Sequence, residues 1–259
     1  MRQYILTLLI FALFIFTVST PEITNAKDLH LFAAAGLRQP TDQLIELFQN
    51  RTGHTVYVDY GGSGTLLARI KASGRGDAYM PAAFSYIEKL ESSGRIHTYR
   101  KVALNVPVIG VNINKANVLS SFEDLAKPGV RLALGDPEAM AFGKIAGQIL
   151  QNSGIHDQII NNVVVYGSTV KQLALYVAQG DVDASIIGRA DAFQHAGDIR
   201  IIQISPDLYK PETISVAVLK SDNTEPAEAL ELMEFLSSPE AKQIFHKFGF
   251  MDLARQKGE

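Results

Sequence analysis

Short runs of β-branched and apolar residues alternate with amphipathic helical segments along this 259-residue chain. In the first third, strand-like runs at 29–33 and 56–60 each precede a helical pattern, at 41–51 and 65–73. A strand, a helix and a further strand in succession are typical of βαβ units, in which neighbouring strands run parallel. The alternation therefore predicts an α/β architecture with mostly parallel sheets flanked by helices.

The same alternation begins again in the second half of the chain. A strand at 163–166, a helix at 169–179 and a strand at 184–187 predict a second α/β unit. No Gly/Ser-rich linker separates the halves, and extended runs pass near Asn105 and near Ser215. We therefore expect two lobes joined by two crossing strands, an arrangement that permits hinge closure around a ligand.

Residues 1–26 match a secretory signal peptide. One positive charge precedes an apolar run of about 15 residues, shorter than the roughly 20 that a membrane span needs. An uncleaved membrane anchor is the alternative. With cleavage near Ala26, the mature chain is expected in the periplasm, with a first lobe at 27–105 and 219–259 and a second lobe at 106–218.

Composition narrows the range of partners. The chain has no cysteine, which excludes a disulfide framework, a thiolate metal site and a lipid attached to an N-terminal cysteine. The formal net charge is −3, and the Lys and Arg residues are scattered rather than gathered into a basic stripe. We therefore do not expect nucleic acid as a partner. The sequence gives no indication of oligomerisation, so we expect a monomer.

Small residues fill both strand-to-helix junctions of the first half, Phe-Ala-Ala-Ala-Gly-Leu at 32–37 and Tyr-Gly-Gly-Ser-Gly-Thr-Leu at 60–66. Such residues leave the first backbone N–H groups of a helix approachable, and the helix N-terminus carries a partial positive charge. The pair of junctions therefore predicts a cradle for an anion. The alternative is that the small residues only permit tight turns.

Enzyme and cation-binding functions have weaker support. Ser63 lies among glycines, but Thr65 replaces the second glycine of a Gly-x-Ser-x-Gly nucleophile elbow. The six histidines form no pair with metal-ligand spacing. Asp136 and Glu138 could form a carboxylate pair for acid–base chemistry, but Asp136 fits better as a turn residue that accepts backbone N–H groups. We expect a binding protein without cofactors and without catalytic activity.

Two more motifs are informative: Leu-Ala-Leu-Gly-Asp-Pro-Glu at 132–138 and Ile-Phe-His-Lys-Phe-Gly-Phe at 244–250. Together with the two junctions, they resemble the periplasmic molybdate-binding proteins of ABC transporters. The resemblance extends over nearly the whole mature chain. It implies a type II periplasmic-binding-protein fold whose two lobes close on a tetrahedral oxyanion, molybdate or tungstate. It also implies a permease and its ATPase as partners.

The resemblance further implies where the anion binds, because that family holds it through neutral N–H and hydroxyl donors at helix starts. Carried over by position, the ligand-binding residues are Gly36, Ser63, Phe142, Val170 and Gly188. The oxyanion is expected chiefly at Ser63, Gly36 and Val170. Possible auxiliary donors are Thr65, Thr169 and Arg189.

This chain departs from the family pattern at three of these positions. Gly36 stands where the family usually has serine, Gly188 where some members have tyrosine, and Phe142 where a small residue is usual. Losing two charge-assisted hydrogen bonds, each worth about 1.5 to 3 kcal/mol, would weaken binding by about two to four decades. Either other groups replace these donors, or the ligand is a different anion or a small carboxylate. Arg189 has the alternative of a solvated surface residue.

Overall fold

The computed structural model describes residues 27–138, 140–220 and 226–253. The expected signal peptide lies outside the described residues. The strands are β1 (Asp28–Ala34), β2 (Thr55–Gly61), β3 (Ala78–Met80), β4 (Ile96–Asn105), β5 (Pro107–Asn112), β6 (Leu132–Gly135), β7 (Val163–Gly167), β8 (Ala184–Gly188), β9 (Ile199–Gln203) and β10 (Glu212–Leu219). The helices are α1 (Arg38–Thr52), α2 (Ser63–Ser73), α3 (Ser85–Glu91), α4 (Ala141–Ser153), α5 (His156–Ile160), α6 (Val170–Gln179), α7 (Arg189–Phe193), α8 (Ala227–Leu236) and α9 (Pro239–Lys247).

The strands form two five-stranded sheets. The first has the order β2-β1-β3-β10-β4, and the second has the order β7-β6-β8-β5-β9. In the first sheet β1 pairs in parallel with β2 and β3, while β10 runs antiparallel to both of its neighbours. In the second sheet β6 pairs in parallel with β7 and β8, while β5 runs antiparallel to both of its neighbours. Each sheet thus has one reversed strand, and the mostly parallel α/β architecture is confirmed.

Both faces of each sheet are covered, so the molecule has a helix–sheet–helix layering in each lobe. In the first lobe, Leu31 of β1 packs in one apolar cluster with Phe48 of α1, while the next residue, Phe32, packs in another with Ile70 of α2. Side chains of a strand alternate between faces, so a strand buried on both sides reads as one continuous apolar run. The second sheet is likewise sandwiched between two apolar clusters.

The two lobes are connected where β4 ends and β5 begins, at 105–107, and again before β10, at 209–212. One expected lobe boundary is wrong: the second lobe is expected to extend to 218, but residues 212–218 lie in the first lobe. The segment belongs to β10, and Ser215 pairs with Lys101 of β4 inside the first sheet. The extended pattern predicted the strand correctly, but it contains no information about which sheet provides its partner.

Helix α7 of the second lobe packs directly on the first lobe. Ala190 is buried in the first lobe's apolar cluster, and Gly249, which follows α9, lies against α7. A Cβ on Gly249 would come within 2.8 Å of the Phe193 Cβ, and its backbone has a φ of +91°. Only glycine fits such a contact without strain.

No helix of the described residues is long and apolar enough to cross a membrane.

Candidate anion-binding cleft

Two of the expected binding residues lie side by side at the carboxyl edge of the first sheet. The parallel strands β1 and β2 pair Ala34 with Gly61, so Gly36 and Ser63 each stand two residues beyond the paired ends. Gly36 lies in a 3-10 turn, Ala35–Leu37, that leads into α1, and Ser63 is the first residue of α2. Both junctions therefore place a helix start at the same edge of the sheet.

Ser63 is fixed by two hydrogen bonds from β3 and the loop after it. The Tyr79 hydroxyl donates to the Ser63 carbonyl oxygen at 2.7 Å, and the Ala82 N–H donates to Ser63 Oγ at 3.1 Å. Tyr79 is buried, and this burial raises its pKa, so its hydroxyl remains a donor. Ser63 Oγ accepts this hydrogen bond and donates none to another described residue, so its own proton is available for a ligand.

The start of α2 adds backbone donors beside that hydroxyl. Its first intrahelical bond runs from the Leu66 N–H to the Gly62 carbonyl at 2.9 Å. The N–H groups of Ser63, Gly64 and Thr65 precede that bond and have no acceptor within the helix. The helix dipole gives this end a partial positive charge. The exposed Thr65 therefore adds a hydroxyl next to a cluster of anion-attracting N–H groups.

The other three expected residues lie at the carboxyl edge of the second sheet. Phe142 is the second residue of α4, which follows β6, and Val170 is the first residue of α6, which follows β7. Gly188 is the last residue of β8. Because β6, β7 and β8 are mutually parallel, their carboxyl ends meet at one edge. The structure therefore brings these three residues together on the second lobe, as it brings Gly36 and Ser63 together on the first.

Helix α6 begins with a capped turn that leaves its first donors unused. The Gln172 N–H donates to Thr169 Oγ1 at 3.1 Å, and the Ser168 N–H donates to the Gln172 side-chain oxygen at 3.0 Å. The N–H groups of Val170 and Lys171 precede the first intrahelical bond and have no acceptor in the helix. The Thr169 hydroxyl acts as the N-cap acceptor and keeps its proton for a further hydrogen bond.

Helix α4 approaches the end of β6 very closely. A Cβ on Gly143 would lie 2.5 Å from the Asp136 carbonyl oxygen, so only glycine allows this approach. The Phe142 side chain is buried in the second lobe's core. Its backbone N–H precedes the first bonds of the helix, which run from Gly143 and Lys144 to the Met140 carbonyl oxygen, so it has no acceptor within the helix. Asp136 accepts the Glu138 N–H at 2.8 Å, which confirms the turn role expected for this aspartate.

Gly188 lies at a crowded corner where the lobes meet. It faces Pro107, the first residue of β5 after the crossing from the first lobe. A Cβ on Gly188 would lie 2.7 Å from Asp191 Oδ2, 3.3 Å from Asn105 Oδ1 and 3.5 Å from Phe142 Cζ. The space that a side chain at this position would need is therefore occupied by two oxygen atoms and the edge of a phenyl ring.

The two oxygen-bearing side chains at this corner were not found from the sequence. Asn105 is 9% exposed, and its Oδ1 is buried without a hydrogen-bond partner among the described residues. Burial raises the pKa of the Asp191 carboxyl to about 6, and the positive charge of Lys171 opposes this shift. The residues expected from the sequence are hydrogen-bond donors to an anion, whereas these two groups present acceptors.

Arg189 is not the solvated surface residue that was the alternative in the sequence analysis. Its Nη1 donates to the Gly249 carbonyl oxygen at 2.6 Å, and its backbone N–H donates to the Val106 carbonyl oxygen at 2.9 Å. Both acceptors lie outside the second sheet, one after α9 and one at the crossing. Arg189 therefore connects α7 by hydrogen bonds to the junction between the lobes.

Among residues 27–138, 140–220 and 226–253, no group of three or more metal-ligating side chains is present.

A family model described as bacterial extracellular solute-binding protein matches residues 29–251. The chain belongs to this family. A binding protein of Haemophilus influenzae is 36% identical to this solute-binding protein over 90% of the present chain and 95% of its own. The molybdate-binding protein ModA of Escherichia coli is 26% identical, over 91% of this chain and 93% of its own.

Solved structures share the fold of this solute-binding protein. The periplasmic molybdate-binding protein of Azotobacter vinelandii superposes with a TM-score of 0.71 at 24% identity, covering 86% of this chain and 98% of its own. PEB3 with bound L-phospholactate superposes with a TM-score of 0.70 at 19% identity, covering 87% of this chain and 100% of its own. The names of these two neighbours give different ligands, so the fold alone does not identify the solute.

Proposed function

We propose that this solute-binding protein captures a tetrahedral oxyanion, with molybdate and tungstate as the first candidates, and delivers it to the permease and ATPase of an ABC importer. The similarity to ModA proteins supports the oxyanion and the importer. A leader with the features of a signal peptide and the extracellular solute-binding family support a periplasmic location. The proposed role is binding and delivery, without catalysis.

The observation that carries the proposal is the arrangement of neutral donors around Ser63. Its hydroxyl donates to no other described residue, and the first three N–H groups of α2 lie next to it without an intrahelical acceptor. A doubly charged oxyanion accepts many hydrogen bonds, and helix N-termini supply them without burying a full positive charge. The starts of α4 and α6 present similar donors on the other lobe.

The proposed contacts are those carried over from the family, and the group that donates the hydrogen bond differs from residue to residue. Ser63 donates through both its N–H and its hydroxyl, while Gly36, Phe142 and Val170 donate through backbone N–H groups. The hydroxyls of Thr65 and Thr169 compensate for the hydroxyl that Gly36 lacks. Gly188 places the backbone of β8 at the cleft, next to the junction between the lobes.

A thermal-shift panel with the purified mature chain tests this function. The ligands are molybdate, tungstate, sulfate, phosphate and small carboxylates, with divalent cations and a chelator as controls. A ligand at a hundred times its dissociation constant stabilises the native state by about 2.7 kcal/mol, which raises the unfolding midpoint. We expect molybdate and tungstate to raise it and chelator to have no effect. A response to divalent cations alone, abolished by chelator, would reject the oxyanion.

A further inference from the structure

The corner around Gly188 has a chemical character opposite to that of the rest of the proposed cleft. The helix starts present N–H donors, but Asp191 Oδ2 and Asn105 Oδ1 both lie against the point where a side chain at 188 would begin. Asn105 Oδ1 is buried and has no hydrogen-bond partner among the described residues. A buried acceptor without a donor is costly, and a proton on a neighbouring group would satisfy it.

An ionised Asp191 would place a negative charge beside the proposed anion site. In a partly buried cleft, two like charges repel each other strongly, because water screens them poorly. If the carboxyl group is protonated, the repulsion disappears and its O–H supplies the donor that the corner lacks. Binding of a dianion and protonation of Asp191 therefore favour one another.

Burial outweighs the groups around Asp191 that stabilise its ionised form. Strands β5 and β8, which pack against α7, have no titratable side chain. The charged and titratable side chains on the packed elements are Lys171 and Tyr176 on α6, Arg200 on β9, and Arg189 on α7. The loop after α7 adds His195 and Asp198, and the end of α9, before Gly249, adds His246 and Lys247. Arg200 donates to the Ala116 carbonyl and Arg189 to the Gly249 carbonyl. Against the larger effect of burial, the charge of Lys171 and a hydrogen bond from the backbone N–H of Asp191 itself lower the pKa of the carboxyl group.

We propose that this protein takes up one proton with each fully ionised oxyanion, and that the carboxyl group of Asp191, beside Asn105, holds this proton. The proposal rests on the proposed oxyanion function and extends it to the protonation state of the loaded cleft. The free carboxyl has a pKa raised by burial to about 6. At lower pH the group already carries the proton, so no uptake accompanies binding. At higher pH the proton must be bound, and affinity falls by about tenfold per pH unit.

Isothermal titration calorimetry of molybdate binding tests the proposal directly. Titrations at one pH near 8, in buffers of different ionisation enthalpy, give the number of protons bound with each anion. We expect close to one proton at pH 8 and close to none at pH 5, with a dissociation constant about 50-fold higher at pH 8 than at pH 6. Molybdate binding with no proton uptake at pH 8 would overturn the proposal and leave the oxyanion function standing.

Two variants test whether the Asp191 carboxyl group holds the proton that is taken up on binding. Asp191→Asn keeps the size of the side chain and its donor capacity but cannot ionise, so it should bind molybdate with no proton uptake and a nearly flat pH dependence. Asp181→Asn changes an exposed aspartate of the same lobe and should behave like the wild type. Full proton uptake in Asp191→Asn would overturn the assignment. Absence of binding by any oxyanion to the wild type at any pH would instead reject the proposed function, and the proton linkage with it.

Discussion

At the scale of single residues, Ser63 is the position where the proposed function depends most on one side chain. Replacing Ser63 with alanine removes the hydroxyl that would donate to the anion but leaves the backbone N–H in place. We expect binding to weaken by about 1.5 to 3 kcal/mol, the worth of one hydrogen bond to a charged group. Isothermal titration calorimetry with the anion found in the panel measures the change.

A matched control for this change lies at the other end of the same helix. Ser73 donates its hydroxyl to the Arg69 carbonyl at 2.9 Å on the exposed end of α2, away from the carboxyl edge of the sheet. Ser73→Ala should leave anion affinity unchanged. Equal affinities in the two alanine variants and the wild type would remove Ser63 from the site.

The residues at the Gly188 corner show what the sequence alone cannot supply. Ser63 was predicted because a serine among small residues at a strand-to-helix junction is a local pattern. Asn105 and Asp191 are separated by 86 positions in the sequence and meet only because α7 packs beside the crossing between the lobes. Each looks alone like an ordinary polar residue, and only the fold buries the two carbonyl-type oxygens at one corner and leaves Asn105 Oδ1 without a partner among the described residues.

At the scale of secondary-structure elements, the close approach of α4 to β6 sets the position of one group of proposed donors. Gly143→Ala would place a Cβ 2.5 Å from the backbone of Asp136, so α4 must shift away from the sheet. Overpacking of this kind typically costs about 1 to 3 kcal/mol of stability. We expect a lower unfolding midpoint in urea and weaker anion binding, because the Phe142 N–H moves with the helix.

The same helix provides the control for this substitution. A Cβ on Gly147 would meet no atom within 4 Å outside its own helix, so Gly147→Ala should stabilise the protein by roughly 0.5 to 1 kcal/mol through higher helix propensity. Urea unfolding of both variants separates the two effects. If Gly143→Ala were as stable as Gly147→Ala, the contact between α4 and β6 would not constrain the helix.

Most elements were predictable from local patterns, whereas their partners were not. The strand expected at 56–60 is β2 (Thr55–Gly61), and the helix expected at 169–179 is α6 (Val170–Gln179). Apolar periodicity and small residues at junctions are local signals, so they predict where an element begins and ends. The sheet that β10 joins depends on the path of the chain through both lobes, which explains the error at 212–218.

At the scale of the whole molecule, the two crossings at 105–107 and 209–212 determine how the lobes can move. The proposed donors lie on both lobes, at the starts of α2, α4 and α6. One small anion can accept hydrogen bonds from all three helices only if the two carboxyl edges approach each other. We expect the two short connections to allow this approach by hinge rotation.

Small-angle X-ray scattering on the wild-type protein measures this closure. We expect the radius of gyration to decrease when saturating oxyanion is added, because water leaves the cleft and the lobes rotate together. Sulfate or phosphate, if inactive in the thermal-shift panel, serves as the ionic-strength control and should leave the scattering unchanged. An unchanged radius with a ligand that raises the unfolding midpoint would show that the cleft is rigid, and one lobe alone would then have to hold the anion.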